Sequence, residues 1–223
     1  MRKFYMLTIV ITCISFVSNA QITKGSTFLG GSVAVNSYSN EDDSSPMNES
    51  KTSSWGIRPQ FGKAISTNKI FGAFLNYTSS MTENSSGTNN SKTTGSSYGG
   101  GIFYRSYYPL SSRFFLFGEG SLGVQLADEE RTTNKILNYK DDRTEVNLAL
   151  TPGISFAATK KLHLEASLNS LLFLSYENSE RKEYNLSGTV VRTLKGNQFN
   201  GSANANGFSG LSIGLRWILP SRK

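Results

Sequence analysis

The feature that most constrains this chain is an alternation of apolar and polar residues that recurs in eight separate segments. In the clearest segment, Val146 and Leu148 alternate with Asn147 and Ala149. Because successive side chains of a β-strand point to opposite faces, this pattern predicts strands with one apolar and one polar face. The eight predicted strands cover about residues 27–38, 54–63, 69–79, 97–108, 113–127, 145–156, 162–169 and 210–219.

The connections between these segments alternate strictly between long polar stretches and short turns. In chain order they lie at about residues 39–53, 64–68, 80–96, 109–112, 128–144, 159–161 and 177–206. An even strand number with long connections at one end and short turns at the other is typical of outer-membrane barrels. We therefore expect an all-β, eight-stranded antiparallel up-and-down barrel that spans the outer membrane, with both mature termini periplasmic. The Ser-, Thr- and Asn-rich stretch at 82–97 is expected to be flexible, exposed chain.

The charged residues within the predicted strands all fall on the polar face. A charge that faces lipid at the middle of a bilayer costs about 2–4 kcal/mol, so such residues belong in the lumen of a membrane barrel. The interior of an eight-stranded barrel is just wide enough for side chains, and charges buried there must be paired. The sequence predicts a structural ion-pair network formed by Arg58, Arg105, Glu119, Glu145, His163, Glu165 and Arg216.

Aromatic residues lie near both ends of the apolar bands. Tyrosine and tryptophan favour the interface between membrane and water, because their rings are amphipathic. The predicted girdle consists of Trp55, Tyr77, Tyr98 and Tyr176 at the external rim and of Tyr108, Phe114 and Trp217 at the periplasmic rim.

Two prolines, Pro59 and Pro152, lie inside predicted strands. Proline lacks the backbone N–H that a strand donates to its neighbour. A β-bulge would absorb the missing bond, so we expect one at each proline.

Residues 1–20 have the layout of a secretory signal peptide. A positive start at Arg2 and Lys3 precedes an apolar run that ends at Val17. This run is shorter than the ~20 residues that a membrane-spanning helix needs. We expect cleavage after Ala20, which leaves residues 21–223 as one barrel domain. Cleavage also removes Cys13, the only cysteine, so that the mature chain has no disulfide and no thiolate metal ligand.

The sequence predicts no catalytic, metal or cofactor site. His163, Glu165 and Ser167 could suggest a hydrolase, but the predicted topology places His163 inside the lumen at the periplasmic end, away from outer-leaflet lipid. The acidic residues of the long stretches lack the fixed spacing of a calcium-binding loop. The Gly99–Gly101 run is not followed by the lysine of a phosphate loop. The basic residues are scattered, which disfavours nucleic-acid binding.

The chain resembles the family of small outer-membrane barrels related to OmpA and OmpX. The resemblance extends over about residues 21–223, and its motifs are Ser18–Gln21, Phe61–Lys63, Gly101–Pro109 and Gly214–Trp217. It implies insertion by the outer-membrane assembly machinery, which reads the last strand. That strand here ends Trp217-Ile218-Leu219, whereas many relatives end on an aromatic residue. No peptidoglycan-binding domain is expected after the barrel.

We expect a structural or surface-interaction protein that contacts outer-membrane lipid and offers its four external loops to an extracellular ligand. Two other classes remain open at this point. One is a narrow, porin-like passive channel, which bilayer conductance would reveal. The other is a soluble, lipocalin-like binding barrel, because a strand with one buried face alternates in the same way.

Overall fold

The computed structural model describes residues 22–41, 48–168, 170–203 and 211–221. The predicted signal peptide at residues 1–20 lies outside this part of the chain. All regular structure in the described part is β-strand. The strands are β1 (Thr27–Glu41), β2 (Asn48–Ser66), β3 (Lys69–Ser86), β4 (Asn89–Pro109), β5 (Phe114–Thr133), β6 (Ile136–Ala157), β7 (Leu162–Leu168), β8 (Leu172–Tyr184), β9 (Val190–Ala203) and β10 (Leu211–Leu219).

The sheet closes into a ring. Strands β1 to β6 pair in chain order, β6 pairs with β7, and β7 pairs with β10. Since β10 also pairs with β1, from Thr27↔Leu219 to Ala34↔Ser212, the two ends of the sheet meet. Every pairing is antiparallel. The ring therefore contains β1 to β7 and β10, and closure removes the free edges in this part of the sheet.

The described part of the chain has ten strands, two more than predicted. The extra strands, β8 and β9, occupy most of the stretch predicted as a long loop at 177–206. Strand β8 continues the line of β7, because Ile154 of β6 pairs with Ala166 whereas Leu150 pairs with Leu172. Between these two pairings, the chain of β7 and β8 contains more residues than β6 does. The strand opposite β6 is therefore interrupted after Leu168. Strand β9 then pairs with β8.

The described parts of the other long polar stretches are also mostly strand rather than loop. We call the end of the barrel with the tips at 87–88, 134–135 and 185–189 the hairpin end, and the end with turns at 67–68, 110–113 and 158–161 the turn end. The stretch at 82–97, predicted as flexible chain, forms paired parts of β3 and β4. Its strands are polar on both faces, and Thr52 of β2 is hydrogen-bonded to Thr82 across the sheet at 3.2 Å. Such strands lack the apolar alternation by which strands were predicted.

The prediction of a bulge at each proline was wrong. Pro59 pairs with Gly31 and Pro152 with Gly118 without any shift of register. On the other side of Pro59, the ladder with β3 skips Arg58 and Pro59 and resumes in the same register. Pro152 lies where β6 changes partner from β7 to β8, so its missing donor coincides with the interruption of the neighbouring strand.

The two faces of the ring differ in composition. At the turn end, the interior is filled by a core that includes Phe28, Ile70, Phe103, Phe115 and Phe117. Large apolar side chains on the outer face, such as Leu75, Leu148 and Leu215, remain 46–65% exposed. A continuous apolar outer belt of this kind is expected where strands contact lipid. No helix in the described ranges is long and apolar enough to cross a membrane.

Candidate functional site in the barrel lumen

Arg105 lies at the centre of a charged layer that crosses the lumen above the apolar core. The side chain projects inward from β4, directly opposite Glu119 of β5. Its Nε donates a hydrogen bond to Glu119 Oε2 at 2.8 Å, and Nη2 binds the same oxygen. On the other edge, Nη1 donates to Glu165 Oε2 at 2.7 Å. Arg105, Glu119 and Glu165 are each at most 5% exposed, so these charge-assisted bonds are shielded from water.

Two uncharged residues complete this layer. The Gln60 side-chain amide donates to both Glu119 oxygens at 3.2 and 3.1 Å, and its carbonyl accepts from Arg105 Nη2 at 3.2 Å. The Tyr107 hydroxyl donates to Glu165 Oε1 at 2.5 Å and accepts from Arg105 Nη1 at 3.1 Å. Neither residue belonged to the predicted network, although the alternation along β2 and β4 places both side chains on the same face as Arg58 and Arg105. Both residues satisfy lone pairs that a simple ion pair would leave open.

The other two arginines of the layer are less well satisfied. Arg216 Nε lies 3.1 Å from Glu165 Oε2, but at an angle that makes no hydrogen bond. Its Nη1 donates to the backbone oxygens of Gly31 and Leu215. Arg58 Nη2 lies 3.2 Å from Glu119 Oε1, again without a hydrogen bond, and its guanidinium stacks on Phe74 at 3.9 Å.

Of the seven residues predicted to form the network, the structure brings five together and places two elsewhere. His163 is buried below the layer, where its Nδ1 is hydrogen-bonded to Ser155 at 3.0 Å and its ring packs on Phe115. Glu145 lies nearer the hairpin end, opposite Gln125 and Glu177, and accepts a hydrogen bond from Asn147 at 2.9 Å. The alternation of side chains along each strand placed all seven on one face. It carried no information about how far along the barrel axis each residue lies.

A cavity of about 470 Å³ lies on the hairpin-end side of the charged layer. Arg58, Arg105, Glu119 and Arg216 are among the residues at its base. Its walls are rich in small hydroxyl residues, namely Ser32, Thr78, Thr151, Ser167, Ser170, Ser202 and Ser212. The apolar core and the charged layer thus fill the turn-end part of the lumen, and a polar cavity follows them.

The sequence matches the outer membrane protein beta-barrel domain family over residues 6–209. The chain belongs to this family. Three solved outer-membrane barrels resemble it. Neisserial surface protein A is 14% identical, with 86% of this chain and 96% of that chain covered and a TM-score of 0.39. The translocator domain of the autotransporter NalP from Neisseria meningitidis is 15% identical, with 99% and 75% covered and a TM-score of 0.39. The outer membrane protease OmpT from Escherichia coli is 9% identical, with 87% and 92% covered and a TM-score of 0.39. No curated protein matches.

The aromatic residues predicted for the membrane interfaces of this outer-membrane barrel all lie on the outer face. Trp55, Tyr77, Tyr98, Tyr108, Phe114, Tyr176 and Trp217 are 37–62% exposed. Of the residues predicted for the external rim, Tyr77 pairs with Tyr98, and the Trp55 ring contacts the Tyr77 ring at 5.4 Å. At the turn end, Phe114 packs on Phe156 at 4.9 Å. The outer face between these two levels is the belt described above.

A second polar cluster lies beyond the belt, at the hairpin end of this outer-membrane barrel. Arg143 donates to Glu129 at 2.6 Å, and Arg181 donates to Asp141 at 2.9 Å. The Tyr139 hydroxyl donates to Glu129 at 2.7 Å. Burial, and then this hydrogen bond, raises the pKa of Tyr139 above its ordinary value, while the bond to Asp141 raises the pKa of Arg181. Within the described ranges no group of three or more His, Cys, Asp or Glu side chains is arranged to hold a metal ion.

Proposed function

We propose that this outer-membrane protein is a non-conducting, eight-stranded barrel that displays an external β-sheet for interactions at the cell surface. In this proposal the ring of β1 to β7 and β10 spans the membrane, and the hairpin end faces the exterior. Cleavage after Ala20 would leave both mature termini at the periplasmic side.

The filled lumen supports the proposal that the barrel conducts few ions. Phe28, Phe103 and Phe115 are at most 2% exposed within the ring, and the Arg105–Glu119 pair lies directly above them. An ion that crossed this region would have to pass tightly packed aromatic side chains, where it would lose most of its hydration. The alternative of a narrow passive channel is therefore disfavoured. Family membership likewise disfavours a soluble binding barrel.

The observation that carries the surface-interaction role is the free outer edge of β9. Among the described strands, β9 pairs only with β8, and the Val35–Glu41 part of β1 pairs only with β2. A free strand edge presents unpaired backbone N–H and C=O groups, to which an extended segment of another protein can add as a further strand. Phe199 and Val191 on β9 are 70% and 62% exposed and would offer side-chain contacts to such a strand.

Cysteine labelling in intact cells tests the external display. The Ser187→Cys variant places a thiol in the β8–β9 tip, and the matched Ser111→Cys variant places one in a turn-end connection. We expect a membrane-impermeant maleimide to label Ser187→Cys in intact cells but to label Ser111→Cys only after the outer membrane is permeabilised. The reverse pattern would refute the proposed orientation. Outer-membrane fractionation and the faster gel migration of unboiled protein would report insertion and folding of both variants.

Adjacent proline variants test strand addition at β9. Neighbouring residues of a strand direct their N–H groups to opposite edges. Of Gly196→Pro and Asn197→Pro, one therefore removes a donor to β8 and the other a donor on the free edge, and amide exchange of β8 distinguishes them. In lipid nanodiscs, we expect the free-edge variant to lose binding of extended peptides while keeping the β8 ladder. If no peptide binds the parent protein, or if neither variant changes binding, strand addition is wrong.

A further inference from the structure

We propose that the lumen cavity binds a small oxyanion, of the carboxylate or phosphate class, against Arg58. This inference goes beyond the surface role proposed above, because it assigns a ligand site to the interior of the barrel.

The first argument is the charge balance of the layer at the base of the cavity. Its three guanidinium groups, on Arg58, Arg105 and Arg216, face the two carboxylates of Glu119 and Glu165. Within the described residues, no other acidic side chain lies within ion-pair distance of these arginines. The layer thus carries one excess positive charge in a partly desolvated place at the base of the cavity. A charge in such surroundings is costly unless an anion accompanies it.

The second argument identifies Arg58 as the group that carries this excess. Both carboxylates bind Arg105 through hydrogen bonds of good geometry, and Glu119 accepts further bonds from Gln60. Arg58 shares Glu119 with Arg105 and forms no hydrogen bond with it. Its side chain is 27% exposed, compared with 3% for Arg105 and 4% for Arg216.

The third argument is the surroundings of the exposed part of Arg58. The Nε and Nη2 atoms are buried, and the guanidinium face is covered by Phe74 at 3.9 Å, so the group meets the cavity through Nη1. The cavity walls near it carry hydroxyl and amide donors on Ser32, Asn76 and Thr78. A guanidinium with neighbouring hydroxyl donors is a common arrangement for holding oxyanions.

The size of the cavity fits this class of ligand. Its volume of about 470 Å³ falls within the range of ~300–1,000 Å³ that is usual for small-molecule sites. It equals about sixteen water volumes of ~30 Å³ each, which leaves space for an acetate or phosphate ion with several waters of hydration. A small, partly hydrated anion can therefore reach Arg58 without displacement of the wall.

Titration of the refolded mature protein in detergent tests the proposal. The arginine Nε–Hε resonances of ¹⁵N-labelled protein are followed while sodium acetate, or in a second series sodium phosphate, is added at constant ionic strength. We expect a saturable shift of the Arg58 signal. Arg58→Gln should weaken binding by about tenfold or more, the loss expected when one charge-assisted hydrogen bond is removed, as read from the remaining lumen signals. Arg113→Gln, at an exposed turn-end position, is the matched control and should leave the affinity unchanged.

A second variant keeps the proposal testable if Arg58→Gln does not fold. Glu119→Gln removes one of the two carboxylates and so raises the excess positive charge, from which we expect tighter oxyanion binding. The proposal is overturned if the parent protein shows no saturable shift, if Arg58→Gln binds as well as the parent, or if Glu119→Gln leaves the affinity unchanged. A response to only one of the two anions would narrow the ligand to that anion's class and would still support the site.

Discussion

Arg105 and Glu119 face each other on adjacent strands β4 and β5, and the arginine binds the carboxylate through two of its nitrogens inside the closed ring. The same arginine reaches across the lumen to Glu165 of β7. One side chain therefore connects β4 to β5 and, across the lumen, to β7, which lies three places further round the ring. This arrangement makes the charged layer an internal brace as well as an obstruction.

The first prediction concerns this brace. Arg105→Ala leaves Glu119 and Glu165 as buried carboxylates with weaker partners, and we expect it to lower the free energy of unfolding by about 3–5 kcal/mol. The measurement is equilibrium unfolding by urea in lipid vesicles. Lys92→Ala is the control, because Lys92 and Glu83 form an ion pair that is about half exposed, and such pairs contribute about 0–1 kcal/mol. A loss for Arg105→Ala no larger than that of the control would contradict the role of the layer.

The second prediction tests which face meets lipid. Leu148 lies in the middle of the outer belt and is 46% exposed. Leu148→Arg should destabilise the folded barrel in a bilayer by about 2–4 kcal/mol, because it puts a charge into hydrocarbon. Asn178→Arg, on the same outer face but beyond the aromatic rim, should cost less than about 1 kcal/mol. Equal losses for the two variants would mean that the belt is not the membrane-spanning surface.

The third prediction concerns conductance. Since Phe28, Phe103 and Phe117 fill the lumen at the turn end, we expect the purified protein to give no resolved single-channel steps in planar bilayers. A large porin measured in the same bilayers provides the positive control. Regular current steps from this protein that change in Arg105→Ala would instead indicate a conducting path through the charged layer.

The fourth prediction addresses the tip of the β5–β6 hairpin. Asn134 and Lys135 both have positive φ angles, of 50° and 68°. Lysine adopts this conformation at a cost of about 1–2 kcal/mol that glycine does not incur. Lys135→Gly should therefore slow amide hydrogen exchange near the tip, for example at Leu137. Lys140→Gly, within the strand, should accelerate exchange. Faster exchange in Lys135→Gly would show that the tip does not hold this turn geometry.

The fifth prediction concerns pH and Tyr139. Burial and the hydrogen bond to Glu129 raise its pKa, so the protonated form is favoured in the folded state. The associated stabilisation is fully present below the ordinary tyrosine pKa and is lost as the pH rises through the raised value. NMR titration of ring-labelled tyrosine should place Tyr139 above its ordinary value, with a smaller shift in Glu129→Gln. An unchanged titration in Glu129→Gln would mean that the hydrogen bond contributes nothing.

Alternation predicted the strands of the belt well because lipid on one side and a packed lumen on the other impose the same period-two pattern. It failed beyond the belt, at β9 and at the outer parts of β3 and β4, whose side chains are largely exposed or half-buried on both faces. There, polar side chains occupy both faces, as at Thr52 and Thr82, and pairing depends on backbone bonds that leave no apolar signature.

The candidate site was predictable to a similar extent. The alternation along each strand identified the inward arginines and glutamates, because the face on which a residue lies follows from its position in the strand. It could not assign levels along the axis, which depend on the tilt and stagger of the strands. For this reason Glu145 was grouped with residues from which it is separated along the axis, and His163, which lies beside Arg216 and Tyr107, was assigned to an ion-pair layer in which it forms no ion pair. The contribution of Tyr107 was not apparent.

The unequal strand lengths have a mechanical consequence. β10 has nine residues, whereas its counterparts β4 and β5 on the far side of the ring have 21 and 20. Each backbone pair of a ladder resists separation, and β7 and β10 are the two shortest described strands of the ring, with seven and nine residues. A heated or pulled barrel should therefore open first along these two strands. Loss of the short wall formed by β7 and β10 should then precede separation of the long hairpin of β4 and β5.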